Sequence, residues 1–251
     1  MTESLYYNLL YGWIICSIIL LPVLLKVSAP YGRFVRTGWG PMINNKLGWI
    51  LMESPALIAF SLFVFAGKDK LNYLVFGFVA LWLFHYFNRV IIFPFRLKTR
   101  GKKMPLLIAI FALCFNLMNA FFNGYFFGNL SKGIYEGNIC YFRIAIGMLF
   151  FIAGMFINWN ADQTLIKLRK TGTDYKIPFG KLYKYISCPN YFGEMLEWTG
   201  FVFMVWNLPA LSFLLWTIVN LLPRALSTHK WYQNHFPDYP QNRKALIPFI
   251  L

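Results

Sequence analysis

Four sets of polar residues stand where the neighbouring sequence offers them little water. Glu53 lies in Leu51-Met52-Glu53-Ser54-Pro55, several residues inside an apolar run, where Pro55 is expected to loosen the helix. In the next run His85, Tyr86, Asn88 and Arg89 fall together; on a helix the three- and four-residue spacings put Tyr86 and His85 on the face of Arg89. Further along, Asn158 and Asp162 are four apart with Arg169 seven beyond. Asn190, Glu194 and Glu197 then stand at i, i+4 and i+7 beside Trp198, a polar stripe on an otherwise apolar helix. The chain has only nine acidic residues. A carboxylate in hydrocarbon is costly, so each buried one needs a partner or a function.

These residue types suggest a division of labour. Carboxylates and amides can hold ribose hydroxyls and a carboxamide, while arginine and lysine neutralise phosphates. The stripes adjoin the two most basic connections, which makes a pocket that is polar and cationic at its mouth and apolar below. Such a pocket suits a large anionic cofactor and a lipid-like substrate, and a dinucleotide with a 2′-phosphate matches the excess of positive charge. No G-x-G-x-x-G occurs, so a Rossmann module is not expected. The plainer readings are structural pairing for the carboxylates and membership of the interfacial aromatic belt for Tyr86.

The elements that must position these residues follow from hydropathy. With 58% hydrophobic and 13% charged residues, the 251-residue chain departs far from a soluble composition. Apolar runs near 8–26, 47–67, 71–93, 105–128 and 141–160 are long enough to cross a bilayer. Two shorter ones, 192–207 and 209–223, are separated by a turn at Asn207-Leu208-Pro209. The expected fold is therefore an all-α, polytopic bundle of seven transmembrane helices forming a single domain over residues 1–251. The first run is expected to be a retained helix, since Glu3 and no basic residue precede it.

Most of the 24 basic residues fall in alternate connections: Lys26 to Lys46, Arg96 to Lys103, Lys167 to Lys184, and Arg224 to Lys244. The positive-inside rule then puts the N-terminus outside and the C-terminus in the cytosol, in a bacterial inner membrane or the endoplasmic reticulum. Orientation accounts for much of the net charge of +15, so no nucleic acid partner is required. Cys16, Cys114, Cys140 and Cys188 are scattered and the three histidines do not cluster, so neither a metal site nor disulfides are expected. No obligate protein partner is evident. Residues 163–190 read as a structured cytosolic connection.

The run Leu182-Tyr183-Lys184-Tyr185-Ile186-Ser187 followed by Asn190-Tyr191-Phe192-Gly193-Glu194-Met195-Leu196-Glu197-Trp198 resembles the C-terminal signature of the steroid 5-alpha-reductase family. The ending Asp238-Tyr239-Pro240 through Arg243-Lys244-Ala245-Leu246-Ile247-Pro248-Phe249 is similar to that family's C-terminus, as are Asn158 with Asp162, Leu168-Arg169-Lys170, His85-Tyr86-Phe87 with Arg89, and Arg224-Ala225. The resemblance implies an NADPH-dependent reductase of the double bond conjugated to a 3-oxo group in steroids. It implies that Glu53 and Tyr86 hold the substrate ketone, with Trp49, Arg89 and Glu197 in the substrate pocket. Cofactor contacts are implied at Arg100, Asn158, Asp162, Arg169, Tyr175, Asn190, Glu194, Arg224, His229 and Tyr232. Helices one to four would form the substrate side and helices five to seven, with their cytosolic connections, the cofactor side. Two departures are visible: Ser227-Thr228-His229 replaces a histidine-rich stretch, and a length difference in the third connection leaves Arg96 and Arg100 as rival phosphate contacts.

The implied chemistry is hydride delivery to carbon 5 with Tyr86 and a neutral Glu53 donating hydrogen bonds to the developing enolate oxygen. Two other enzyme readings remain: a reductase of another lipid enone, such as an enoyl thioester or polyprenol, and an isoprenylcysteine-methyltransferase-like enzyme. The latter expects Arg-His-Pro where this chain has Ser187-Cys188-Pro189. A lipid carrier with proton-relaying carboxylates is a non-enzymatic alternative.

Overall fold

The computed structural model describes residues 1–97, 99, 101–137, 139–170 and 175–251. Its helices are α1 (Glu3–Lys26), α2 (Asn45–Phe65), α3 (Tyr73–Phe87), α4 (Phe93–Arg96), α5 (Leu106–Asn129), α6 (Tyr141–Lys170), α7 (Pro189–Val205) and α8 (Leu208–His235). A π-helical turn, Asn88–Ile92, joins α3 to α4 so that Tyr73–Arg96 forms one span. Six helices among the described residues are long and apolar enough to cross a membrane, as fits a multi-pass membrane protein; α7, with 17 residues, falls short of that length. Two short strands, β1 (Met42–Asn44) and β2 (Lys103–Pro105), pair antiparallel and add a small ribbon to the expected all-helical fold.

Two expected boundaries move. Hydropathy ends the fifth run near residue 160, with Asp162 at the helix end, but α6 continues to Lys170, which carries Arg169 on helix rather than in the 163–190 connection. Likewise α8 passes its expected end at 223 and continues to His235, so Arg224, His229 and Tyr232 share one helix. The turn between α7 and α8 is tighter than expected. Trp206 adopts a left-handed conformation, and the Asn207 side chain caps α8 by accepting from the Ala210 amide at 2.9 Å. Pro209 then sits in the first turn, where its missing N–H costs nothing.

The described chain divides into two compact units, Met1–Leu10 with Ala29–Tyr141 and Tyr11–Ser28 with Phe142–Leu251. In the first, α2 packs along α5 through Gly124 and Gly128: a Cβ at Gly128 would lie 2.3 Å from the Phe63 carbonyl oxygen. Small residues allow this approach, as is common between helices in lipid. Tyr6 secures the start of α1 by donating to the Phe122 carbonyl at 2.7 Å and stacking on Tyr125.

In the second unit the same device joins α6 and α7. Cβ atoms at Gly154 and Gly193 would each meet the other glycine's carbonyl oxygen, at 2.5 and 2.6 Å, and Gly147 and Gly200 oppose one another likewise. The two seven-residue glycine spacings set an antiparallel register. The C-terminal segment is held by a parallel bridge between Ile186 and Lys244, with Lys244 N donating to Tyr185 O and Ser187 N to Lys244 O, both at 2.8 Å.

Candidate functional site

In the first unit the candidate residues gather where α2 meets α3. Trp82 donates from its indole to the Ala56 carbonyl at 2.8 Å and stacks on Phe60. Because the helices run antiparallel, one turn further along each brings buried Tyr86 level with Met52 and Glu53. Tyr86 packs against Trp82 and His85 at ring separations of 5.2 and 5.0 Å. Glu53 faces Arg89, whose guanidinium nitrogen lies 3.7 Å from Oε1, beyond hydrogen-bond length but close enough to neutralise charge. The Arg89 head lies over the rings of Trp49 and Phe93, at 4.7 and 4.9 Å, and Trp49 donates to the Arg89 carbonyl at 3.2 Å. Thus Trp49, Glu53 and Arg89 form one cluster, with Tyr86 on the adjoining turn.

Local backbone chemistry shapes this region. Pro55 cannot donate to Leu51, and the Ser54 hydroxyl takes that carbonyl instead at 3.2 Å. Asn116 on α5 donates to the Met52 carbonyl at 2.7 Å. On the other side, Pro94 removes the amide that would bond Val90, and the helix widens into the π turn that carries Arg89. That π turn was not anticipated, although Pro94 was its visible signal.

In the second unit the glycine register brings the two polar stripes together. Asn158 lies four residues beyond Gly154 and Asn190 three before Gly193, so they meet: Asn158 donates to the Asn190 carbonyl at 2.9 Å and to Glu194 Oε2 at 3.4 Å. Asn190 in turn donates to Asp162 Oδ1 at 3.4 Å. Glu197, one turn along, is buried where α7 passes Gly154. Below this quartet, buried Tyr183 donates to the Ala161 carbonyl at 3.3 Å; burial, then the nearby Asp162 carboxylate, push its phenol well above the ordinary range.

Arg224, His229, Tyr232 and Tyr175 lie along α8 and the segments packed on it. Arg224 donates from Nε to the Tyr191 hydroxyl at 3.0 Å. His229 Nδ1 is 2.6 Å from the Ser187 hydroxyl, which is also 2.6 Å from the Tyr239 hydroxyl; burial pushes that phenol up as well. Tyr232 is buried and stacks on Tyr239 at 5.4 Å, and Tyr175 packs edge-on to Trp231 at 5.1 Å. Arg169 is half-buried on the last turn of α6. Arg96 is exposed at the end of α4, and its rival Arg100 lies outside the described residues. Ser187 and Tyr239 were not singled out as site residues; only the C-terminal sequence signature pointed toward them.

The family profile described as 3-oxo-5-alpha-steroid 4-dehydrogenase matches residues 102–251. This chain belongs to that family. The match spans both polar stripes, α8 and the C-terminal bridge. Over nearly the whole length, this family member is 43% identical to the steroid 5-alpha-reductase DET2 of Arabidopsis thaliana across 237 residues, covering 91% of this chain and 90% of that one. It is 42% identical to the DET2 of Gossypium hirsutum across 230 residues, with 89% of each chain covered. It is 36% identical to 3-oxo-5-alpha-steroid 4-dehydrogenase 1 of Bos taurus across 237 residues, covering 91% of each. Membership places the chain among oxidoreductases of steroid metabolism.

Proposed function

We propose that this member of the family reduces the Δ4 double bond of 3-oxo-Δ4 steroids with NADPH. The observation that carries the proposal is the joined quartet Asn158, Asp162, Asn190 and Glu194 at adjoining ends of α6 and α7. Its chemistry fits a dinucleotide: the carboxylates accept from ribose hydroxyls and the amides match a carboxamide, while Arg169 and Arg224 supply cations for phosphate. The 3.4 Å contacts of Asn158 and Asn190 to the carboxylates are long, so these groups give up little on turning toward a ligand. Tyr175, His229 and Tyr232 would complete the cofactor contacts.

When bound, NADPH supplies the hydride received at carbon 5. The protein's task is to hold the steroid ketone as electrons move onto its oxygen. Tyr86 donates a hydrogen bond to that oxygen, and a neutral Glu53 donates a second. Arg89 beside Glu53 supports a second arrangement, in which Glu53 is the carboxylate of an ion pair that fixes Arg89 and Tyr86 alone is the uncharged donor. Trp49, clustered with Glu53 and Arg89, would line the steroid pocket. Solvent or a relayed proton completes carbon 4. The proposed topology has seven crossings with the N-terminus outside and the C-terminus cytosolic, in the endoplasmic reticulum or a bacterial inner membrane.

The test is mass spectrometry of products after incubating the purified chain with NADPH and testosterone or progesterone, alongside Glu53→Leu and Tyr86→Phe, each of which removes the donor. A gain of two hydrogens with 5α geometry is expected from the native chain, and a loss of about 100- to 1000-fold in turnover when a donor is removed. Unchanged steroid with the native chain would redirect the assignment to another lipid enone, and wild-type rates in both variants would remove Glu53 and Tyr86 from it.

A further inference from the structure

The second unit carries a half-open groove of about 490 Å³, a volume within the usual range of ligand sites. Phe156 and Ile157 of α6 form one wall, Leu182 and Tyr185 the other, and Lys181 supplies charge at the rim. Helical spacing puts Phe156, Asn160 and Thr164 on a different face from Asn158 and Asp162, and buried Tyr183, which also lines the groove, lies toward the proposed cofactor cluster.

We propose that this groove binds an anionic phospholipid, with one acyl chain against Phe156 and Ile157 and the phosphate on Lys181. The polar groups on its α6 wall are engaged: Asn160 donates to the Phe156 carbonyl at 2.8 Å and accepts from Lys181 at the rim, and Thr164 donates to the Asn160 carbonyl at 3.0 Å. What they leave is an apolar floor suited to a hydrocarbon chain. The groove also spans the polarity change along α6, from the apolar run containing Phe156 to the helix end beyond residue 160. An amphiphile in a bilayer has the same gradient.

The rim carries the complementary charge. Residues 175–190 include Lys176, Lys181 and Lys184 and no acidic residue. Lys184 places its ammonium 5.6 Å from the ring of Tyr185, which itself lines the groove. Lys181 has φ of +48°, directly after Gly180 at +85°. A lysine in the left-handed region is strained, and such strain persists only where the surrounding structure enforces it. Here it brings the Lys181 ammonium to Asn160 at the groove.

The test is native mass spectrometry of the full chain in detergent with dioleoyl phosphatidylglycerol or dioleoyl phosphatidylcholine. The native chain should retain the anionic lipid about fivefold better, and Lys181→Gln should remove that preference, as expected for one interfacial cation. A phosphatidylglycerol carrying a photoactivatable acyl chain should label the peptide containing Phe156 to Thr164, and Thr164→Trp, which fills the groove, should abolish the labelling. Equal retention of the two lipids, a preference that survives Lys181→Gln, or labelling elsewhere would overturn the proposal. Displacement of the lipid by excess inorganic phosphate would reduce the site to an anion contact and overturn it too. None of these measurements involves steroid reduction, so their failure leaves the proposed activity standing.

Discussion

The Arg89 guanidinium lies 3.7 Å from the carboxyl of Glu53, joining the π turn after α3 to the proline-loosened turn of α2. Two residues that break regular hydrogen bonding, Pro55 and Pro94, flank this contact in sequence. In the ion-paired arrangement, removing one charge leaves the other in an apolar setting, whereas removing both leaves neither. Arg89→Met is therefore expected to destabilise the chain by roughly 1–3 kcal/mol, below the full cost of breaking a buried pair because both side chains retain some exposure. The double variant Arg89→Met/Glu53→Gln should recover part of that loss. Thermal unfolding in a double-mutant cycle measures it, and additive losses would show that the pair carries no coupling.

Asn158 and Asn190 link α6 to α7 at the carboxylates proposed to hold the cofactor. Asp162→Ala and Asn190→Ala should each weaken NADPH-induced thermal stabilisation while the unliganded melting temperature changes less. A ligand concentration series reads this directly, since stabilisation grows with the logarithm of ligand over its dissociation constant. An unchanged NADPH shift in both variants would count against the quartet as the cofactor site. NADH and S-adenosylmethionine provide the comparison ligands, and a larger shift with the latter would favour a methyltransferase-like reading.

Gly154 sets the register of that quartet. A Cβ there would lie 2.3 Å from the Glu197 amide nitrogen and 2.5 Å from the Gly193 carbonyl, both rigid backbone atoms. Gly154→Ala should force the helices apart and lower the melting temperature by roughly 5 °C, the scale of a small overpacking penalty. Gly12→Ala, with open space around the new Cβ, is the matched control. Equal effects of the two substitutions would contradict the close-packing account.

Tyr183 makes the stability of the second unit sensitive to alkali. Its phenol is buried and held well above its ordinary range, so the folded chain keeps a proton that the unfolded chain releases above about pH 10. The contribution is fully present below that pH and declines as pH rises through the unfolded value. Unfolding midpoints should therefore fall between pH 9 and 11 more steeply for the native chain than for Tyr183→Phe. Parallel slopes would assign the alkaline loss to other groups.

The polar stripes were legible because period and chemistry coincide: Asn190, Glu194 and Glu197 repeat on one helical face in an apolar context, where a chance polar residue is expensive. The helix ends were not. Hydropathy reports the solvent a segment meets, whereas helix continues for as long as its backbone bonds and packing last, which is why α6 and α8 outrun their apolar stretches. The π turn escaped for a related reason. Pro94 signals that a bond must be lost, but how the helix absorbs that loss depends on what surrounds Arg89.

Composition and hydropathy by themselves determined a helical membrane chain with carboxylates that had to be partnered, and the spacing of Asn158, Asp162, Asn190 and Glu194 determined which faces carried them. Tertiary structure decided the partners. Nothing local to Glu53 names Arg89, and nothing local to Asn158 names Asn190. Those pairings depend on antiparallel registers set by Trp82 on Ala56 and by Gly154 on Gly193, contacts between segments 26 and 39 residues apart that exist only once the helices pack.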